Sequence, residues 1–315
     1  MDITWIVLQL LAGILLLAWS SDRFLHASVS LAKHWNWSPF VVGVVLVGFG
    51  TSFPEWVIAL TASVKGSGLV AVGNVFGSNI ANFLLVFGLS AFCFPIAVNR
   101  VVWQRDFPWL LGVTALLSFL AFTGALRVWE GLVLLLMLVV VMSSMLHRSK
   151  KTAVDLDECV QDPPMNFGRS VCWWLLGLGM IVLASEWLIH SAVVIAHWMG
   201  LSELIIGLTV VTLGTSLPEL AATLVSAWRG QSDVALGHLV GSNIFNSTAV
   251  LAMPALFSAG QLPLSVTERD YPWLLLVTVG MWFLLIWQSD KPRFNRWLAG
   301  GLVLVYIAYM GSLFL

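Results

Sequence analysis

Gly50-Thr51-Ser52-Phe53-Pro54-Glu55 lies in the middle of an apolar run, and Gly214-Thr215-Ser216-Leu217-Pro218-Glu219 repeats it 164 residues later. At the same offset Gly77-Ser78-Asn79-Ile80-Ala81-Asn82 returns as Gly241-Ser242-Asn243-Ile244-Phe245-Asn246, and Arg105-Asp106-Phe107-Pro108-Trp109 as Arg269-Asp270-Tyr271-Pro272-Trp273. His26 and His190 match as well. Three motifs at one spacing identify an internal duplication.

The composition says where such a chain lives. Of 315 residues, 59% are apolar and 10% charged, against about 25% charged in a soluble domain. Mean hydropathy is +0.92, so the surface belongs in a bilayer. Fifteen Lys and Arg against sixteen Asp and Glu leave a net charge of −1. That gives no electrostatic case for nucleic acid. Cys93, Cys159 and Cys172 match no metal spacing or disulfide framework and are expected as inert packing residues. Met1-Asp2-Ile3-Thr4-Trp5 lacks the basic segment of a cleaved signal peptide, so the first apolar stretch is expected to be kept as a span.

One crossing takes about 20 apolar residues. Ten candidate spans fit the sequence, near 3–21, 38–64, 69–98, 107–124, 128–146, 171–197, 202–228, 234–259, 271–288 and 296–315. The expected fold class is therefore an all-α membrane protein with about ten transmembrane helices. Residues 1–146 form the first five-helix repeat, with signature segments in 43–86; 147–170 connect; 171–315 form the second, with signature segments in 207–250. Five is odd, so the second copy enters the membrane upside down relative to the first. Inverted repeats with interrupted helices mark secondary transporters whose substrate sits near the midplane, between the halves. With the N-terminus outside, twelve Lys and Arg fall on inner connections and only Lys65, Arg127 and Arg269 on outer ones. The positive-inside rule then puts both termini outside and loop 147–170 in the cytoplasm of a cytoplasmic (inner) membrane protein.

Glu55 and Glu219 sit inside apolar segments at equivalent positions, where a charge costs at least ~2.5 kcal/mol and marks function by default. No Lys or Arg occurs within these segments. Pro54 and Pro218 lack an N–H, which frees the carbonyls of Gly50 and Gly214. Thr51, Ser52, Thr215 and Ser216 add hydroxyls on the same turns, and Ser78, Asn82, Ser242 and Asn246 are expected to face them. An all-oxygen set with two carboxylates suits a hard cation, Ca²⁺ or Na⁺. Gly73 with Gly77, and Gly237 with Gly241, read as close helix contacts. Asp22 with His26 and Glu186 with His190 read as local acid–His pairs four residues apart, and a gating or pH-sensing role is the alternative. Trp35, Trp37, Trp103, Trp109, Trp129 and Trp273 read as interfacial anchors.

These motifs resemble the two α-repeats of the cation/Ca²⁺ exchanger superfamily, above all its prokaryotic sodium/calcium exchangers, over essentially the whole chain. The resemblance implies that Glu55 and Glu219 coordinate Ca²⁺. It implies Na⁺ and Ca²⁺ ligands at Thr51, Ser52, Thr215 and Ser216, side-chain ligands at Ser78, Asn82 and Ser242, and backbone carbonyl ligands at Gly48 and Thr212. The chain departs from the family where Asn246 stands in place of a frequent acid. His238 stands where the first repeat has Asn74.

The function this implies is alternating-access antiport of Ca²⁺ against Na⁺. Two close carboxylates repel unless a cation sits between them, so an empty site resists crossing and exchange replaces leak. Protons on the glutamates would instead give H⁺/Ca²⁺ exchange, and K⁺ dependence also stays open. A cation channel is a different class, and a metalloenzyme lacks its His-x-x-x-His or His-Glu-x-x-His spacing. No enzyme activity, no cofactor and no obligatory protein partner are expected; the partners are the transported ions and the lipid bilayer.

Overall fold

The computed structural model describes residues 3–149, 165–199, 212–289, 291 and 293–312. The described residues form ten main helices: α1 Ile3–Trp35, α2 Pro39–Val64, α3 Gly68–Cys93, α4 Phe107–Thr123, α5 Val128–Ser149, α6 Phe167–Trp198, α7 Leu217–Trp228, α8 Ser232–Phe257, α9 Ser265–Gln288 and α10 Arg296–Ser312. A short turn, Thr212–Thr215, precedes α7. The expected span 202–228 is described only from residue 212. Seven helices among the described residues are long and apolar enough to cross a membrane.

The duplication in sequence is a duplication in space. Moved by 164 positions, α3 has the bounds of α8 and Ile3, the start of α1, meets Phe167, the start of α6. Even the irregular turns recur: wide π-helical turns open at Asn82 in α3 and at Asn246 in α8, and others lead into α4 and open α9. Extra-residue turns of this kind concentrate at functional sites. Gly66 (φ +79°) and Gly230 (φ +73°) end α2 and α7 in the left-handed conformation that a side chain would strain.

The halves interlock rather than sit side by side. α1 packs along α6, α5 of the first repeat packs on α8, and α10 of the second packs on α3. In the α1–α6 pair, Gly13 meets Leu188 while its equivalent Gly177 meets Phe24, the equivalent of Leu188. The centre is the pairing of α2 with α8. A Cβ on Gly43 would lie 2.3 Å from the Val234 carbonyl, one on Gly237 2.2 Å from that of Phe40, and one on Gly241 2.5 Å from the Val44 Cα. The close-contact reading of Gly237 and Gly241 therefore holds, with α2 as their partner; that of Gly73 and Gly77 does not, since a Cβ at either would meet nothing within 4 Å. Burial follows this plan: 94% of the apolar window of α8 is buried, against 28% for α1, α5 and α6, which turn their Leu, Val and Trp side chains outward.

Connections between helices meet in two groups. Strand β1 (Ala125–Leu126) pairs antiparallel with β2 (Gly260–Gln261), joining the α4–α5 and α8–α9 connections. In the other group Phe294 N–H donates to the Ile96 carbonyl, Ala97 N–H to Ser232 Oγ, and Met165 N–H to Ser30 Oγ. This is the sorting that alternate crossings of a membrane require. One expectation changes. Cys93 and Cys172 are exposed rather than packed inside, and Cys159 lies outside the described residues. Trp35 and Trp129 are exposed, whereas Trp37, Trp103, Trp109 and Trp273 are partly buried against the core.

Candidate cation-binding site

Four segments build the site: the middle of α2 and the turn that leads into the start of α7, each carrying a Thr-Ser-x-Pro-Glu, and the middles of α3 and α8, each carrying Gly-Ser-Asn-Ile-x-Asn. Glu55 is 3% and Glu219 1% exposed, and they sit among Thr51, Ser52, Ser242 and Asn82, all at 1% or less. The two carboxyl groups adjoin, and Glu219 also faces Ser52 and Thr51 of the other repeat. Ser52 Oγ donates to Glu219 Oε1 at 3.3 Å. Among the described residues neither glutamate has a Lys or Arg partner, and Oε2 of each is buried without a hydrogen bond. Burying a charge without a partner is costly, so this pair calls for a proton or a cation.

Neighbouring oxygens complete the set. Ser242 Oγ donates to the Gly48 carbonyl across the repeats at 3.4 Å, and Thr51 Oγ1 lies 3.0 Å from the Val47 carbonyl and 3.4 Å from that of Gly48. α7, with Glu219, packs on the π turn of Asn82, and α2, with Glu55, packs on that of Asn246. Each acid-bearing helix thus packs on the π turn of the opposite repeat. Asn82 Nδ2 donates to Asn243 Oδ1 at 2.8 Å, leaving its own Oδ1 without a partner. Asn246 has neither side-chain polar atom bonded, although it is 1% exposed. Ser78 and Ser216 are buried and Thr215 is half-buried. The turn of Thr212 and Thr215 lies against α3, the helix of Ser78.

The two proline motifs, expected to behave alike, differ. α2 runs through Pro54 without a break, whereas the second repeat breaks at Ser216 (φ −91°, ψ 3°) and restarts with Pro218 in the first turn of α7. Proline is tolerated in a first turn and distorts an interior one. Of the acid–His readings, Asp22 ion-pairs with Arg229 of the other repeat at 2.5 Å. Glu186 and His190 are both exposed, and among the described residues Glu186 makes no ion pair.

Some polar groups of the centre escaped the sequence reading. Asn79 Nδ2 donates to Ser247 Oγ at 2.7 Å and Asn243 Nδ2 to the Asn79 carbonyl at 3.3 Å, so the middle asparagines of the motif tie the repeats together. Their recurrence at the common offset was the available signal. His238 and Thr223 are a second case, with no motif in the sequence to link them.

A ten-helix, twice-repeated membrane bundle with paired buried acids at its centre defines a secondary transporter of cations. Sequence and structure comparisons agree. The sodium/calcium exchanger protein family matches residues 5–146 and 169–315. The chain is 30% identical over 347 residues to the sodium/calcium exchanger MaX1 of Methanosarcina acetivorans, covering 98% of each chain. It is 34% identical over 292 residues to the inner membrane protein YrbG of Escherichia coli, covering 90% of this chain and 89% of that one. The structure of the sodium-calcium exchanger NCX_Mj soaked with zero Na⁺ and Ca²⁺ superimposes with a TM-score of 0.82 at 27% identity, covering 99% of this chain and 100% of that one. The chain belongs to the sodium/calcium exchanger family. It is a multi-pass cation/Ca²⁺ antiporter, not an enzyme.

Proposed function

We propose that this protein exchanges Ca²⁺ for Na⁺ by alternating access, with both ions competing for one midplane site. The observation that carries it is the adjoining, buried Glu55–Glu219 pair without a basic partner among the described residues. A divalent cation neutralises that pair in one step, and several Na⁺ do so in competition for the same oxygens. The proposed ligands are the two glutamates with Thr51, Ser52, Thr215, Ser216, Ser78, Ser242, Asn82 and Asn246, plus the carbonyls of Gly48 and Thr212. The names of MaX1 and NCX_Mj, both sodium/calcium exchangers, support Na⁺ as the counter-ion. The distribution of Lys and Arg supports both termini outside and loop 147–170 in the cytoplasm.

A second reading, H⁺/Ca²⁺ exchange, is favoured by one feature. With Asn246 in place of an acid, two carboxylates rather than three balance the counter-ions. The deciding experiment is uptake of radiolabelled Ca²⁺ into proteoliposomes preloaded with Na⁺, K⁺ or choline at matched pH. Uptake with internal Na⁺ alone, abolished in Glu55→Gln and Glu219→Gln, is the expected result. Uptake that follows a pH gradient and ignores Na⁺ selects the proton exchanger. Uptake with choline inside, indifferent to both substitutions, overturns the antiport reading at this site.

A further inference from the structure

His238 is wholly buried at the α2–α8 contact, and both ring nitrogens are engaged. Nε2 lies 2.9 Å from Thr51 Oγ1, and Nδ1 lies 2.9 Å from Thr223 Oγ1. Thr223 Oγ1 is in turn 2.8 Å from the Glu219 carbonyl, one turn back in α7. A single polar chain therefore runs from the backbone of one site glutamate, through Thr223 and His238, to Thr51 beside both glutamates. At the equivalent positions the first repeat has Asn74 for His238 and Ala59 for Thr223. The two residues depart from the repeat pattern together, so the chain exists on one side of the site only.

Hydrogen counting limits this chain to two arrangements. A neutral imidazole has one N–H donor and one bare acceptor, and each threonine hydroxyl has one hydrogen. With the hydrogen on Nδ1, the ring donates to Thr223, Thr223 donates to the Glu219 carbonyl, and Thr51 must donate to Nε2. The Thr51 hydrogen is then withheld from the carbonyls of Val47 and Gly48, and its lone pairs can face a cation; the Gly48 carbonyl still accepts from Ser242. With the hydrogen on Nε2 the direction reverses: Thr51 accepts from the ring and donates to Val47, Gly48 or Glu219, and fewer of its oxygen lone pairs face the site.

We propose that His238, held by Thr223 with its hydrogen on Nδ1, is a positioning residue that turns the Thr51 hydroxyl away from the site and makes Thr51 a pure oxygen donor to the bound cation. The role requires no change in the charge of the ring. It makes the two repeat-related halves of the site unequal, with Thr51 pre-oriented and Thr215 not served by an equivalent histidine. Groups that orient a metal ligand commonly contribute ten- to a hundredfold to affinity. The inference rests on Thr51 being a cation ligand, which is part of the proposed function.

The test is cation binding to the purified full-length carrier, read as the midpoint of stabilisation against heat in Na⁺ and in Ca²⁺ titrations. Wild type is compared with His238→Asn, Thr223→Val, Thr51→Val and the Thr51→Val/His238→Asn double variant. Asparagine is too short to reach both threonines. His238→Asn is expected to weaken the binding of at least one of the two ions roughly tenfold, and Thr223→Val to weaken the same ion by less. In the Thr51→Val background, His238→Asn should produce no further loss. Independent, multiplying effects of His238→Asn and Thr51→Val would overturn the proposal, as would unchanged midpoints in a protein that is merely less stable. If His238→Asn does not fold, Thr223→Val decides on the same criteria. Absence of any Na⁺ or Ca²⁺ response in wild type would instead defeat the proposed function itself.

Discussion

At the scale of single residues, the site contains one side chain whose setting is unlike its twin's. Asn82 spends its amide hydrogens on Asn243, whereas Asn246 is buried with both polar atoms free of partners. A neutral amide offers a cation one oxygen; an acid would offer charge as well, and Ca²⁺ affinity rises with the number of charged ligands. Asn246→Asp is therefore expected to lower the half-saturating Ca²⁺ concentration of exchange by roughly tenfold. Equal half-saturation in wild type and variant would mean that residue 246 does not reach the ion. Glu55, Glu219 and their hydroxyl neighbours were legible because an acid inside an apolar run has no ordinary reason to exist. His238 was visible only as a mismatch with Asn74. Its two partners come from α2 and α7, and no local pattern links residues so far apart in the chain.

At the scale of elements, most helix boundaries were legible, although α1 runs on to Trp35 beyond the expected 3–21 and α3 stops at Cys93 short of 98, and helix character was not. Ser38 before Pro39 opens α2, Gly66 closes it, and the same ending recurs at Gly230. Nothing in Val42-Gly43-Val44-Val45-Leu46-Val47-Gly48 announces that the helix widens into π turns there; the stretch is the one against which α8, distant in the chain, packs. The glycines at this contact carry a definite prediction. Gly241→Val drives a side chain into the backbone of Val44, and overpacking of this kind costs about 1–3 kcal/mol or more. A detergent-solubilised Gly241→Val protein should melt lower and be recovered in smaller amounts. Gly280→Ala, whose added carbon meets nothing within 4 Å, should melt like wild type. Equal melting of all three proteins would show that the close approach of α2 and α8 is not what holds the centre together.

At the scale of the whole molecule, counting residues predicted ten crossings and an inverted second repeat. Among the described residues seven helices are long and apolar enough to cross a membrane, and the connections meet in two groups, as alternate crossings require. What counting did not reveal is which cross-repeat ties are made. Asp22 grips Arg229, while the equivalent residues, Glu186 and Lys65, make no ion pair among the described residues. In an inverted repeat these two pairs belong to opposite faces, so the Asp22–Arg229 tie secures one face only. Asp22→Asn and Arg229→Gln are expected to speed backbone hydrogen exchange severalfold at the end of α7, through residues 225–232. Lys65→Gln should leave that segment unchanged. No change at the end of α7 in either variant would mean that the ion pair is ornamental, as exposed pairs often are.

The interlocking of the halves also has a consequence for how the protein is made. Besides each other, α2 and α3 pack on α7, α8, α9 and α10 of the second repeat, which are synthesised last. At about 5–20 residues per second, a ribosome needs on the order of 10–30 s to translate the half of the chain beyond α5. Through that interval the first half has the glycines of α2 and Glu55 without their partners from the second repeat. Slowing translation beyond α5 is therefore expected to lower the amount of chain recovered, even where the finished bundle is equally stable.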